Sequence, residues 1–187
     1  MKLRTTTTAL DKLKDDVIIV GTFEGHKKLG GAAADIDSAT SGLISAARTD
    51  ITGKLHQTCL LYATQGLAAK RVLVIGLGKE KDLTRDKVRG IAARAVSFAR
   101  DAGLVTAALP LQLIPGTGLD PAQRATALCE GALLGLYTFR QYKTASENSN
   151  NVTFKQITIC TGREQSAAVA AAIRDAEILC EIGRAHV

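Results

Sequence analysis

Apolar and polar positions along the chain fall into blocks that switch between a period of two and a period near 3.6, which predicts strands alternating with helices. The stretch from Leu3 to Thr7 is β-prone. Val17 to Val20 form an unbroken apolar run stopped by Gly21, a pattern suited to a strand buried on both faces. Residues 34–48 place Ile36, Ala39, Leu43, Ala46 and Ala47 at helical spacing and predict one helix, with a turn at 52–54. Residues 57–64 and 70–78 read as two strands, either a hairpin or neighbours. A helix opens at Thr84, a good cap, with Asp86 in its first turn. It carries Val88, Ile91, Ala92, Ala95, Val96 and Ala99 on one stripe and ends at Gly103. Residues 106–113 predict a short strand in which Pro110 marks an edge or the strand's end.

The second half repeats the logic. Asp120 suits an N-cap, Pro121 the first helical position, and Gln123 the far side of a capping box. The helix they open runs on through Phe139, with Ala125, Leu128, Ala132, Leu133 and Leu136 on one side. A polar loop at 144–151, a period-two strand at 152–160 and a last helix at 164–180 complete the pattern. No repeat or linker interrupts it, so a single α/β domain accounts for the chain.

Composition narrows the class. Apolar residues make up 46% of the 187 positions and only seven side chains are Phe or Tyr, with no Trp, so the core is Ala, Val, Leu and Ile. No apolar run reaches the length of roughly 20 residues that spans a bilayer. The N-terminus also lacks a signal peptide's apolar segment, so we expect a cytoplasmic protein with no membrane contact. Cys59, Cys129, Cys160 and Cys180 lie scattered in apolar segments with no C-x-x-C pair, as buried reduced thiols do. The formal charge of +6 is spread over short clusters such as "KKLGG" and "GKEKDLTRDKVR". A solvated face is the plain reading, and weak affinity for DNA the sharper one.

Candidate chemistry is thin. "VLVIGLGKEKDLT" follows a strand and precedes a helix, where a dinucleotide loop would sit. Gly76 and Gly78 supply G-x-G, but Lys81 stands where the third glycine belongs. We read it as a structural turn. Ser41, Ser45, Ser97 and Ser166 fall in helical patterns without a nucleophile elbow. Asp15–Asp16 and Asp35/Asp37 read as solvated caps rather than acid–base pairs. Neither the three histidines nor any Asp/Glu cluster has metal-ligand spacing. No catalytic, cofactor-binding or metal-binding residue is expected in this chain.

One segment is more specific. In "CEGALLGLYTFRQYKT", Cys129 to Thr144, the sequence Glu130-Gly131, then Gly135, Tyr137, Phe139, Tyr142 and Lys143 resembles a signature of the leucyl aminopeptidases, peptidase family M17. Physically, Gly131 and Gly135, four apart, let their helix approach a neighbour closely, and the Tyr/Phe cluster is expected to cap the core. The unit around Gly76 and Gly78 also looks like the family's strand–"GLG"–helix, and the resemblance covers residues 3–180. It implies a macro-domain-like three-layer sandwich, a mixed β-sheet with helices on both faces, placed before a larger catalytic domain. That domain would hold two divalent metals (zinc, manganese or magnesium) on Lys, Asp and Glu ligands. The whole protein would be a cytoplasmic homo-hexamer that releases N-terminal amino acids from peptides. The domain itself would position the catalytic domain and support assembly. Two other readings are a DNA-binding accessory module and a stand-alone macro-like domain for ADP-ribose or another nucleotide.

The tail "EIGRAHV", residues 181–187, extends no apolar stripe. One back-translation of it reproduces, from its second base, a widely used short-read sequencing adapter that continues into a stop codon. We therefore expect the domain to span 1–180 and residues after Glu181 to be adapter read-through, with the catalytic domain absent and His186 no ligand.

Overall fold

A computed structural model of the chain describes residues 1–63, 65–114, 118–137 and 153–185. Six strands form one mixed sheet: β1 (Lys2–Thr6), β2 (Val17–Thr22), β3 (Thr58–Tyr62), β4 (Arg71–Gly76), β5 (Thr106–Pro110) and β6 (Gln156–Cys160), in the order β1-β6-β5-β2-β4-β3. All neighbours are parallel except β3 and β4, which are antiparallel with Leu60 opposite Leu73. The helices are α1 (Gly31–Ala39), α2 (Leu43–Ala46), α3 (Arg85–Asp101), α4 (Pro121–Gly135) and α5 (Ser166–Ala185).

The strand period divides the core in two. Val17 and Ile19 of β2, with Leu73, Ile75, Ala107, Leu109, Ile157 and Ile159, point to the layer built from α3, α4 and α5. Ile18 and Val20, with Val72, Val74, Ala108 and Cys160, point to the opposite layer, where Ala32, Ala33, Ile36 and Ile44 of α1 and α2 cover them. The unbroken apolar run of β2 is thus a strand roofed on both sides, as its sequence predicted. The period of β6 likewise alternates between two buried faces rather than between core and water, and its bounds are shorter than the predicted 152–160. The three-layer α/β sandwich expected from the sequence is the observed architecture.

The caps operate as predicted. Thr84 accepts a bond from Lys87 N–H at 3.3 Å. Asp120 accepts from Gln123 N–H at 2.8 Å while the Gln123 side chain accepts from Asp120 N–H at 3.3 Å, a complete capping box. Pro110 ends β5 rather than marking an edge, since β5 pairs with both β2 and β6.

Three expectations are corrected. The helix predicted over 34–48 is two helices, because Ser41 (φ 56°) and Gly42 (φ 93°) take left-handed backbone between them. The Asp37 carboxylate stabilises the break by accepting from Ile44 N–H and Ser45 N–H, both at 2.8 Å, so a side chain in α1 caps α2. Helix α4 stops at Gly135, short of Phe139, and Leu136 is its C-cap. The last helix continues past 180 to Ala185. Asp37→Ala should therefore cost about 1 kcal/mol, within the usual cost of losing a helix cap, read as a lower melting temperature.

Candidate functional site

In an open α/β sheet, ligands bind where the strand order reverses, outside the carboxyl ends of the strands. Here that place lies beyond β2, β4 and β5, where β4 passes by way of α3 to β5 on the far side of β2. The "GLG" turn sits at this mouth, and its space is filled by the chain's own backbone. A Cβ on Gly76 would lie 1.9 Å from the Lys54 carbonyl oxygen, and Gly78 has φ +73° with Leu55 against it. His56 N–H donates to Gly76 O, Gly76 N–H to Gln57 O, and Gly78 N–H to Gly53 O. The Gln57 side chain holds the 50–57 loop in turn, its Oε1 accepting from Thr52 N–H and Gly53 N–H and its Nε2 donating to Asp50 O. Gly76 and Gly78 are small because a loop crosses them. That contact supports the structural-turn reading of Gly76 and Gly78 over the nucleotide-loop one.

Among the described residues, two of the recesses near the plugged mouth present polar side chains from several elements. One, of about 230 Å³, is lined by Thr22, Phe23, His26, Lys28, Gly30 and Glu80. Arg48 straps it, donating to Thr22 Oγ at 3.1 Å and to His26 O, and His26 Nε2 lies 3.4 Å from Glu80. The other, of about 370 Å³, opens between β1, β6 and α1 and presents Thr8, Asp11, Asp35, Gln112, Cys160 and Thr161.

Neither recess presents an activated nucleophile. Burial pushes the Cys160 thiol up to about 12, with Asp15 adding to the rise, and burial likewise raises Cys129 and Cys59. Ser97 Oγ donates to Gly135 O at 2.7 Å and Ser45 Oγ to Asp37, so these hydroxyls serve structure. Asp16 accepts from Val105 N–H and Thr106 N–H at 3.0 Å each and caps the start of β5. Asp15 corrects the expectation of a solvated cap. It is 4% exposed, accepts from Thr158 Oγ at 2.9 Å, and has Arg4 at 3.9 Å. Among the described residues, no group of three or more His, Cys, Asp or Glu could hold a metal ion.

Glu130, Gly131 and Gly135 of the aminopeptidase-like signature lie elsewhere, on the seam between α3 and α4. A Cβ on Gly131 would lie 2.2 Å from the Arg89 carbonyl oxygen, and one on Gly135 would lie 2.6 Å from Cα of Ala93. Both glycines are there so that two helices can touch backbone to backbone, as their spacing predicted. Glu130, beside them, is buried and takes Arg85 Nη at 3.3 Å and Arg89 Nε on its two carboxylate oxygens. Its bond to Arg89 holds that guanidinium's proton more firmly still. Sequence reasoning missed this clamp, although Arg85 and Arg89 stand one turn apart on α3 and could have signalled it. Tyr137 is 40% exposed and does not cap the core. Phe139, Tyr142 and Lys143 lie outside the described residues.

The fold is that of a macro-like α/β domain whose switch-point mouth is filled by its own loop. Residues 19–146 match the model of the cytosol aminopeptidase family, N-terminal domain. The chain is 34% identical over 171 residues to the cytosol aminopeptidase of Pseudomonas aeruginosa, covering 90% of this chain and 34% of that relative. In fold it is similar to a tomato leucine aminopeptidase mutant, with TM-score 0.75, 21% identity, and coverage of 97% of this chain and 36% of that one. It is also similar to the Trypanosoma brucei macrodomain in complex with ADP, with TM-score 0.68, 14% identity, and coverage of 91% and 67%. The chain belongs to the cytosol aminopeptidase family, as its N-terminal domain. It spans about a third of the length of the curated relatives it matches.

Gly131→Ala should destabilise by about 2 kcal/mol, overpacking outweighing the roughly 1 kcal/mol that Ala gains in a helix. Gly162→Ala, with open space around it, should be nearly neutral in the same thermal melts. His56 has its pKa lowered from 6.5, by burial and then by Arg94, and holds φ 65°. A lowered histidine contributes stability that is fully present above 6.5 and is lost as the pH falls below it. His56→Asn, which tolerates left-handed backbone, should flatten that acid limb in melts run from neutral to mildly acidic pH.

Proposed function

We propose that this chain is the N-terminal, non-catalytic domain of a metal-dependent leucyl aminopeptidase that releases N-terminal amino acids from peptides. The observation that supports the reading is that Glu130, Gly131 and Gly135 of the family signature pack on a helix–helix seam, in a chain aligning with one third of a cytosol aminopeptidase. The catalytic domain and its two divalent metals (zinc, manganese or magnesium) would then follow this domain in the parent protein. The domain's work is mechanical: it positions the catalytic domain and contributes contacts to a homo-hexamer. The name cytosol aminopeptidase borne by the relatives supports a cytoplasmic setting. Among the described residues, no helix is long and apolar enough to cross a membrane.

The nucleotide and DNA readings rank below it. The loop over Gly76 and Gly78 leaves no room there for a phosphate to reach the backbone, and the +6 charge is dispersed. The experiment has two arms. The purified chain, given zinc, manganese or magnesium, should release no leucine from a leucyl peptide. Sequencing the source DNA across codon 180 should find a frame that runs on into a Lys-, Asp- and Glu-rich domain. Metal-dependent leucine release by the chain alone would overturn the reading. So would saturating ADP-ribose that stabilised it by roughly 2.7 kcal/mol, the value for a ligand at a hundred times its Kd.

A further inference from the structure

The two edges of the sheet are built differently. At one edge, β1 carries Lys2 and Arg4, charges of the kind that keep an edge from pairing with another chain. At the other edge, β3 reads Thr-Cys-Leu-Leu-Tyr, without charge, proline or bulge, and Tyr62 is 64% exposed. Among the described residues, nothing pairs with its outer side.

The ladder shows which groups that outer side offers. Ala63 N–H donates to Lys70 O, and Gly76 N–H to Gln57 O. Bonded and non-bonded pairs alternate along an antiparallel ladder. Cys59 and Leu61 therefore spend their backbone groups on β4, and Thr58, Leu60 and Tyr62 direct theirs outward.

We propose that β3 is a dimerisation edge, pairing antiparallel with β3 of a second copy of this chain about a two-fold axis at Leu60, so that the two sheets become continuous. The strand is self-complementary in that register. Leu60 meets Leu60, and Thr58 meets Tyr62 of the second copy, a β-branched–aromatic pair of the kind that stabilises sheets. Cys59 meets Leu61 on the other face. Charge agrees with the antiparallel sense. Lys70 flanks the Tyr62 end, opposite Ala63, and Asp50 flanks the Thr58 end, where its carbonyl accepts from Gln57 Nε2 at 2.7 Å. The pairing brings Lys70 of one copy towards Asp50 of the other. A segment of unrelated sequence would satisfy the backbone groups but not these side-chain pairs. The inference does not rest on the aminopeptidase reading.

The register makes a covalent test possible. Cys59 and residue 61 of the second copy form a non-bonded pair, with Cα atoms about 4.5 Å apart, inside the range a disulfide spans. Leu61→Cys should therefore cross-link to a covalent dimer under mild oxidation, and Cys59→Ser/Leu61→Cys should not. In sedimentation, the 187-residue chain should dimerise. Tyr62→Lys, at an exposed position, should weaken the dimer by roughly tenfold or more through the cross-strand pair it removes and the edge charge it adds. A chain that stays monomeric as concentration rises overturns the proposal. So does a dimer that Leu61→Cys fails to trap through Cys59, and the cross-link decides the matter if Tyr62→Lys unfolds.

Discussion

Gly131 and Gly135 hold α4 against the backbone of α3, and much of the domain is arranged around that contact. With no Cβ between them, the two helices lie close enough for Ser97 to donate directly to the carbonyl of Gly135. Glu130, one residue before the first glycine, closes the same seam by taking Arg85 and Arg89 of α3. The apolar stripes of both helices then meet the sheet as one surface over β2, β4, β5 and β6. A buried carboxylate beside two arginines is favourable here because both partners keep part of their side chains in water. The Glu130 side chain is 12% exposed, against 44% for Arg85 and 35% for Arg89. The seam combines close contact, which fixes distance, with a charge clamp, which fixes register.

The same economy of space governs the mouth of the sheet. A parallel sheet with a reversal in strand order offers a crevice by topology alone, and this chain fills it with the loop from Asp50 to Gln57. The loop is secured by one amide side chain and by backbone bonds to the very turn that could have cradled a phosphate. Fold likeness to a macrodomain in complex with ADP therefore does not carry ligand chemistry with it.

Much of this was legible in the sequence, for identifiable reasons. The double-faced burial of β2, the caps of α3 and α4 and the role of the α4 glycines all follow from local rules that need no knowledge of distant residues. The break between α1 and α2 was hidden because Ile36, Ala39, Leu43, Ala46 and Ala47 keep helical spacing across it. Only the left-handed Ser41–Gly42 step and the reach of Asp37 reveal it. Asp15 was misread because an acidic pair before a strand looks like a surface feature. Its burial depends on Thr158, distant in sequence, being brought over it by the strand order. The Glu130 clamp was missed for the same kind of reason, since its arginines lie on a different helix. Tyr137 was misplaced because an aromatic after a helix suggests a core plug, and here the chain leaves it at the surface.

The strand order also bears on how the domain comes into being at the ribosome. Among the described strands, β1 is made before the others and pairs with β6, which is made after them. During synthesis β1 has no partner until residues 156–160 emerge, a delay of roughly eight to thirty seconds at 5–20 residues per second. Over the same interval β5 lacks one neighbour, while β2, β4 and β3 can already assemble. The nascent chain thus carries a half-built sheet, and the charged Lys2 and Arg4 of the waiting strand help it remain soluble until its partner arrives.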